Sequence, residues 1–172
     1  GEAVSNQSNQ SNQSPELQPD PNNFFAYQQR ALQPLKQWGL GSVLVGAIAA
    51  TIPQPSVRQF GLQCLTWGGI DAGLALIGRR QASRKEAQYY AGELTSVQVA
   101  REIRTLHRIL MINTALDVGY VAAAVWLLAT AQDRPARLGM GLGVLVQGSF
   151  LLLYDALFAQ EIGRNWPHEV AA

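Results

Sequence analysis

MINTALDVGYVAAAVWLLATA, residues 111–131, decides how this chain is read. Its strongly polar members are Asn113 and Asp117, and as a helix it spans about 30 Å, the thickness of a bilayer's hydrocarbon core. It therefore reads as the centre of a membrane span, taken here as about residues 109–131. Asn113 and Asp117 stand one turn apart on one face, which Tyr120 continues. A carboxylate inside hydrocarbon costs roughly 3 kcal/mol on insertion scales, so Asp117 is expected to face protein and to have partners there.

Working outward, three further apolar blocks appear. The first runs over about 35–52, with Trp38 at its mouth as an interface aromatic, and ends at the turn Pro53-Gln54-Pro55. The second runs over about 57–78 and is stopped by Arg79 and Arg80; the few residues between these two blocks make them antiparallel neighbours. Gly69 and Gly73, one turn apart, supply a small-residue surface on which a second helix is expected to pack. The last block covers about 138–159. It opens with Gly139, Gly141 and Gly143 and is closed by Glu161, Arg164, Trp166 and Pro167.

Between the second and third blocks, Val99, Ile103, Leu106 and Leu110 recur at helical spacing, with Arg101, Arg104 and Arg108 on a neighbouring face. That is an amphipathic helix leading straight into span three, with Gly92 separating it from a shorter helix around residues 84–90. Before the first block, Phe24, Phe25 and Tyr27 with Arg30 and Lys36 suggest a short interfacial helix, aromatic side toward lipid and cations toward headgroups. Residues 1–22, with the repeat SNQSNQSNQ and prolines at 15, 19 and 21, read as a disordered polar tail. Its NQS triplets at Asn6, Asn9 and Asn12 have the form of glycosylation sequons but read as spacer. The expected organisation is this tail, a four-helix membrane domain over 23–166 and a C-terminal tail over 167–172.

Composition narrows the function. Thirteen Lys and Arg against twelve Asp and Glu give no global field, so nucleic acid is not an expected partner. One cysteine, Cys64, excludes an internal disulfide and any CxxC motif, and two histidines are too few for a histidine-rich metal site. His107 reads as a solvated surface residue. No GxSxG, HExxH or Walker pattern occurs, and GMGLG at 139–143 precedes a membrane helix rather than following a strand. No catalytic residue and no required cofactor are read, and the chain is not expected to be an enzyme.

What remains is a set of acids. Each of the last three spans carries one aspartate, Asp71, Asp117 and Asp155, eight or nine residues from the basic residues Arg79, Arg108 and Arg164. At 1.5 Å per residue all three lie roughly 12–14 Å below one basic surface. Asn113, Tyr120, Gln147 and Tyr154 complete the candidate ligand- or ion-binding set, and Gln63 and Trp67 extend the stripe of Asp71. Three acids at one depth require compensation. They are protonated and hydrogen-bonded, or paired with arginines such as Arg79, Arg104 or Arg108, or they hold a cation; whether a metal is involved the sequence leaves open. The plainer alternative is interhelical glue.

NTALDVGY (residues 113–120), QGSFLLLYD (147–155) and QQR (28–30) resemble a family of small, uncharacterised bacterial four-span membrane proteins, over about residues 24–165. The resemblance implies a four-helix integral membrane protein and no activity. It also implies a cleavable signal peptide. Ten of the thirteen Lys and Arg fall on the side shared by the tail, residues 79–108 and the C-terminus. The positive-inside rule makes that side cytoplasmic, in a bacterial inner or other energy-transducing membrane, and a cleaved signal peptide would reverse it.

The expected fold is thus all-α, a four-helix transmembrane bundle with an amphipathic helix before span three. Two functions are carried forward: a binding protein whose acids hold a proton, cation or small polar or amphiphilic ligand, or a structural or accessory subunit of a larger membrane complex. Expected partners are the lipid bilayer and, on the second reading, other membrane subunits or further copies of the chain.

Overall fold

The computed structural model describes residues 24–171, so the expected tail and its sequons lie outside the described residues. Those residues form five helices: α1 (Phe24–Ala50), α2 (Pro55–Tyr90), α3 (Ser96–Ala129), α4 (Pro135–Asn165) and the short α5 (Pro167–Ala171). Local chemistry sets the boundaries. Pro55 and Pro135 open α2 and α4, where a missing N–H costs nothing. Thr95 and Gln98 form a capping box at the start of α3. Gly92, at φ 75°, turns the chain between α2 and α3.

Several expected boundaries merge. The interfacial helix and the first span are one helix, α1, which passes through Pro34. The segment around 84–90 is the end of α2 rather than a separate helix, so the break at Gly92 comes where expected but divides α2 from α3. The amphipathic stretch does run unbroken into span three within α3. Residues 167–171, expected as tail, form α5, since Pro167 ends α4 and begins the next turn.

Three helices, α2, α3 and α4, are long and apolar enough to cross a membrane. α1, expected as a fourth span, does not reach that standard because its first half is rich in glutamine and carries Lys36. Those polar groups have protein partners: Gln29 donates to Glu86 at 2.7 Å, and Gln33 accepts from Arg79.

α1 and α2 form one tight hairpin, α3 and α4 another, and α2 against α4 joins the two. Between α1 and α2 the backbones touch. A Cβ on Gly46 would stand 2.5 Å from the Leu65 nitrogen, and one on Gly68 would stand 2.6 Å from the Ser42 Cβ. The expected packing surface of Gly69 and Gly73 is not used: both point into open space, where an added Cβ would find no atom within 4 Å. The contact stripe is instead Gly61, Cys64, Gly68, Ala72 and Ala75, which keeps a spacing of three and four on the opposite side of α2. Gly139 and Gly143 do serve close contact, against Ser56 and Gln63 of α2.

Size and polarity are distributed with large apolar side chains outside and small or polar ones inside. Large aliphatic residues such as Leu44, Ile48, Leu74 and Leu153 face outward, while the interior of the spans is glycine, alanine and a few polar groups. In the most apolar stretch of α3 only 17% of the residues are buried, so its aliphatic surface has no protein to cover it. The sole cluster of large buried apolar side chains among the described residues lies at the basic end. There Phe24, Phe25, Val99, Ile103, Phe158, Ile162 and Trp166 pack together. This corrects the reading of Phe24 and Phe25 as lipid-facing: both are about 1% exposed, and the Phe24 ring meets Trp166 edge-on at 5.2 Å. Tyr27 closes the cap by donating to Glu161 at 2.6 Å, and burial together with that carboxylate pushes its phenol above the usual range.

Candidate functional site

Each aspartate comes from a different helix, Asp71 from α2, Asp117 from α3 and Asp155 from α4, and all three line one cavity of about 230 Å³. All three are buried, at 2%, 3% and 6% exposure, which removes bulk water as their partner. Asn113 and Tyr120 line the same cavity from α3; Leu35 of α1 and Trp67, Ile70, Leu74, Leu116 and Leu151 form its apolar walls. The convergence follows from helix direction: α3 antiparallel to α2 and α4 brings residues equally distant from the basic end to one level.

Within the cavity, Asn113 and Asp117 of α3 stand on the same wall as Asp155 of α4. Asp71 stands across from them on α2. Two carboxylate oxygens, Asp71 Oδ2 and Asp117 Oδ2, are buried and have no hydrogen-bond partner. No Lys, Arg or His lines the cavity. The expected charge partners do not serve: Arg79 is engaged by Gln33, and the salt bridge found among the described residues, Lys85 with Glu102, involves neither Arg104 nor Arg108 nor any of the three aspartates. Among the described residues no three His, Cys, Asp or Glu side chains are arranged to hold a metal ion. The cavity thus gathers three carboxyl groups with no basic side chain among its lining residues, and the three are spread over its wall rather than gathered on one point.

Two residues of the expected set lie elsewhere. Gln147 accepts from Trp38 Nε1 at 2.7 Å and donates to Ser42 at 3.1 Å, so it pins α4 to α1 on the far side of the bundle. Tyr154 donates to the Ala31 carbonyl at 3.0 Å, and its ring stacks on Phe150. Trp38 is stacked on Phe150 at 4.1 Å. Trp67, outside the expected set, shares the cavity wall and meets Tyr120 edge-on at 5.1 Å. Its position at i−4 from Asp71 is the signal for this in the sequence.

The model of a family of unknown function, DUF6992, matches residues 34–156. The chain belongs to the DUF6992 family. The match contains all three aspartates, Asn113 and Tyr120, and leaves out the aromatic residues at the start of α1 and the whole of α5. It is narrower than the span of resemblance read from the motifs, and membership in DUF6992 carries no activity with it. No curated protein and no solved structure matches the chain.

Proposed function

We propose that this DUF6992 member is a four-span integral membrane protein that binds a positively charged species, a proton or a cation, among Asp71, Asp117 and Asp155. The observation that carries the reading is the pair of buried, unpartnered oxygens, Asp71 Oδ2 and Asp117 Oδ2, on two residues that line a cavity with no basic side chain. Desolvating an unpaired carboxylate is costly, so a site of this kind is stabilised by whatever brings positive charge into it. α1 is taken as the fourth span because its glycine face lies along α2 over the same length of helix. No catalytic step is assigned. The excess of basic residues at one end argues that this end is cytoplasmic, and the motif resemblance argues for a bacterial membrane.

Asn113 and Asp117 of α3 lining one cavity with Asp155 of α4, on the packed α3–α4 pair, favours a second reading, in which the acids are glue for a structural or accessory subunit. Thermal unfolding in detergent separates the two. On the binding reading, raising the pH from about 5 to about 9 lowers stability, because the folded state must give up protons it holds in the cavity, and added cations restore part of the loss. Asp117→Asn is then expected to flatten both responses. If Asp117→Asn merely lowers the unfolding temperature and leaves both responses as they were, the acids are glue.

A further inference from the structure

We infer that the aspartate cavity takes the ammonium head of an amphiphilic amine, which enters sideways from the bilayer between α2 and α3; this rests on the cation-binding reading above. The geometry of the opening is the first reason. α1 packs on α2, α3 on α4 and α2 on α4, whereas α2 and α3 have no comparably extensive backbone packing. Within the spans the two helices meet through Trp67 and Tyr120, and near the basic end through Lys85 and Glu102. The cavity lies in the gap between these two contacts.

The character of the rim is the second reason. Ile70 and Leu74 on α2 and Leu116 and Tyr120 on α3 line the cavity and are also exposed, at 49%, 59%, 54% and 39%. They are at once the cavity's mouth and part of the surface that large aliphatic residues present to hydrocarbon. A ligand arriving there comes through lipid, and so has an apolar part. At about 230 Å³ the cavity is smaller than the roughly 300–1,000 Å³ of sites that enclose a whole drug-sized ligand, so it holds a head and leaves a tail outside.

The chemistry of the floor chooses the head. Asp71 Oδ2 and Asp117 Oδ2 are acceptors without donors, and no basic side chain answers them. A primary ammonium brings three N–H donors and one positive charge. An alcohol of the same length brings a single donor and no charge.

The test uses the full chain in phosphatidylcholine nanodiscs, with empty nanodiscs as baseline and three probes: dodecylamine, 1-dodecanol and methylammonium. Dodecylamine is expected to bind saturably and raise the unfolding temperature, with dodecanol failing to compete. Leu116→Trp narrows the mouth at a lipid-facing position where folding is not at stake. It is expected to weaken dodecylamine at least tenfold; Asp117→Asn is expected to abolish both dodecylamine binding and the response to methylammonium. Binding that matches empty nanodiscs, that dodecanol competes for, or that Leu116→Trp leaves unchanged overturns the lateral amine site. A methylammonium response that depends on Asp117 without dodecylamine binding overturns this inference and leaves the cation site standing; loss of both responses in the wild type overturns the cation site as well.

Discussion

Single atoms decide how close α1 and α2 can come. Gly68 and Gly69 are adjacent in sequence and opposite in consequence, since a Cβ on the first meets Ser42 at 2.6 Å and a Cβ on the second meets nothing. Gly68→Ala is therefore expected to cost about 1–3 kcal/mol through overpacking. Gly69→Ala is expected to be neutral or to stabilise by roughly 0.5–1 kcal/mol, the helix preference of alanine over glycine. Denaturant unfolding in detergent measures both. The same pair shows what the sequence could and could not say. Small residues one turn apart announce that a helix can be approached closely, but α2 carries two such stripes, and only the fold says which one faces α1. The common depth of the aspartates was legible because helical rise and the basic residues fix it by counting, whereas the meeting of their faces in one cavity depends on how the bundle turns each helix. Trp38 with Gln147 was not legible, because the two are far apart in sequence and neither has a spacing that names its partner.

Helix termini carry the next level of control. α3 is 34 residues long and begins with the reciprocal bonds of Thr95 and Gln98. Thr95→Ala removes one of these and is expected to cost about 1 kcal/mol. Hydrogen exchange should show the effect as faster exchange of the first-turn amides around Gln98 and Val99. Asp117 lies roughly six turns further on, beyond the reach of fraying from that end, so the cavity's response to cations should be unchanged. Element boundaries were the weaker part of the sequence reading for a related reason. The interfacial and spanning parts of α1 join because nothing between them breaks a helix: Pro34 is accommodated, and glutamines that look like a polar break find partners on α2. Aromatic residues beside cations look alike whether they face headgroups or a protein core, and Phe24 and Phe25 prove to do the second.

The molecule as a whole has two interiors of different kinds, a small-residue and carboxylate interior along the spans and an aromatic cap at the basic end. On the proposed four-span reading, the turn between α2 and α3 and the turn between α3 and α4 fall on opposite sides of the membrane. In a Cys64→Ser background, Glu93→Cys and Asp133→Cys are expected to react with a membrane-impermeant maleimide from opposite faces of sealed vesicles. Labelling of both from one face would remove α3 as a span. The outward aliphatic surface predicts that the protein stays with the membrane until detergent is added.

The cap has one more consequence. Because Phe24 touches Trp166, the first described helix and the end of α4 are neighbours, while the turn around Gly92 joins two helices that are not among the extensively packed pairs. Chain order is therefore not what holds the helices in place. A permuted protein that starts at α3, runs through α5 and a short linker into α1, and finishes at Tyr90 would keep every pairing described above.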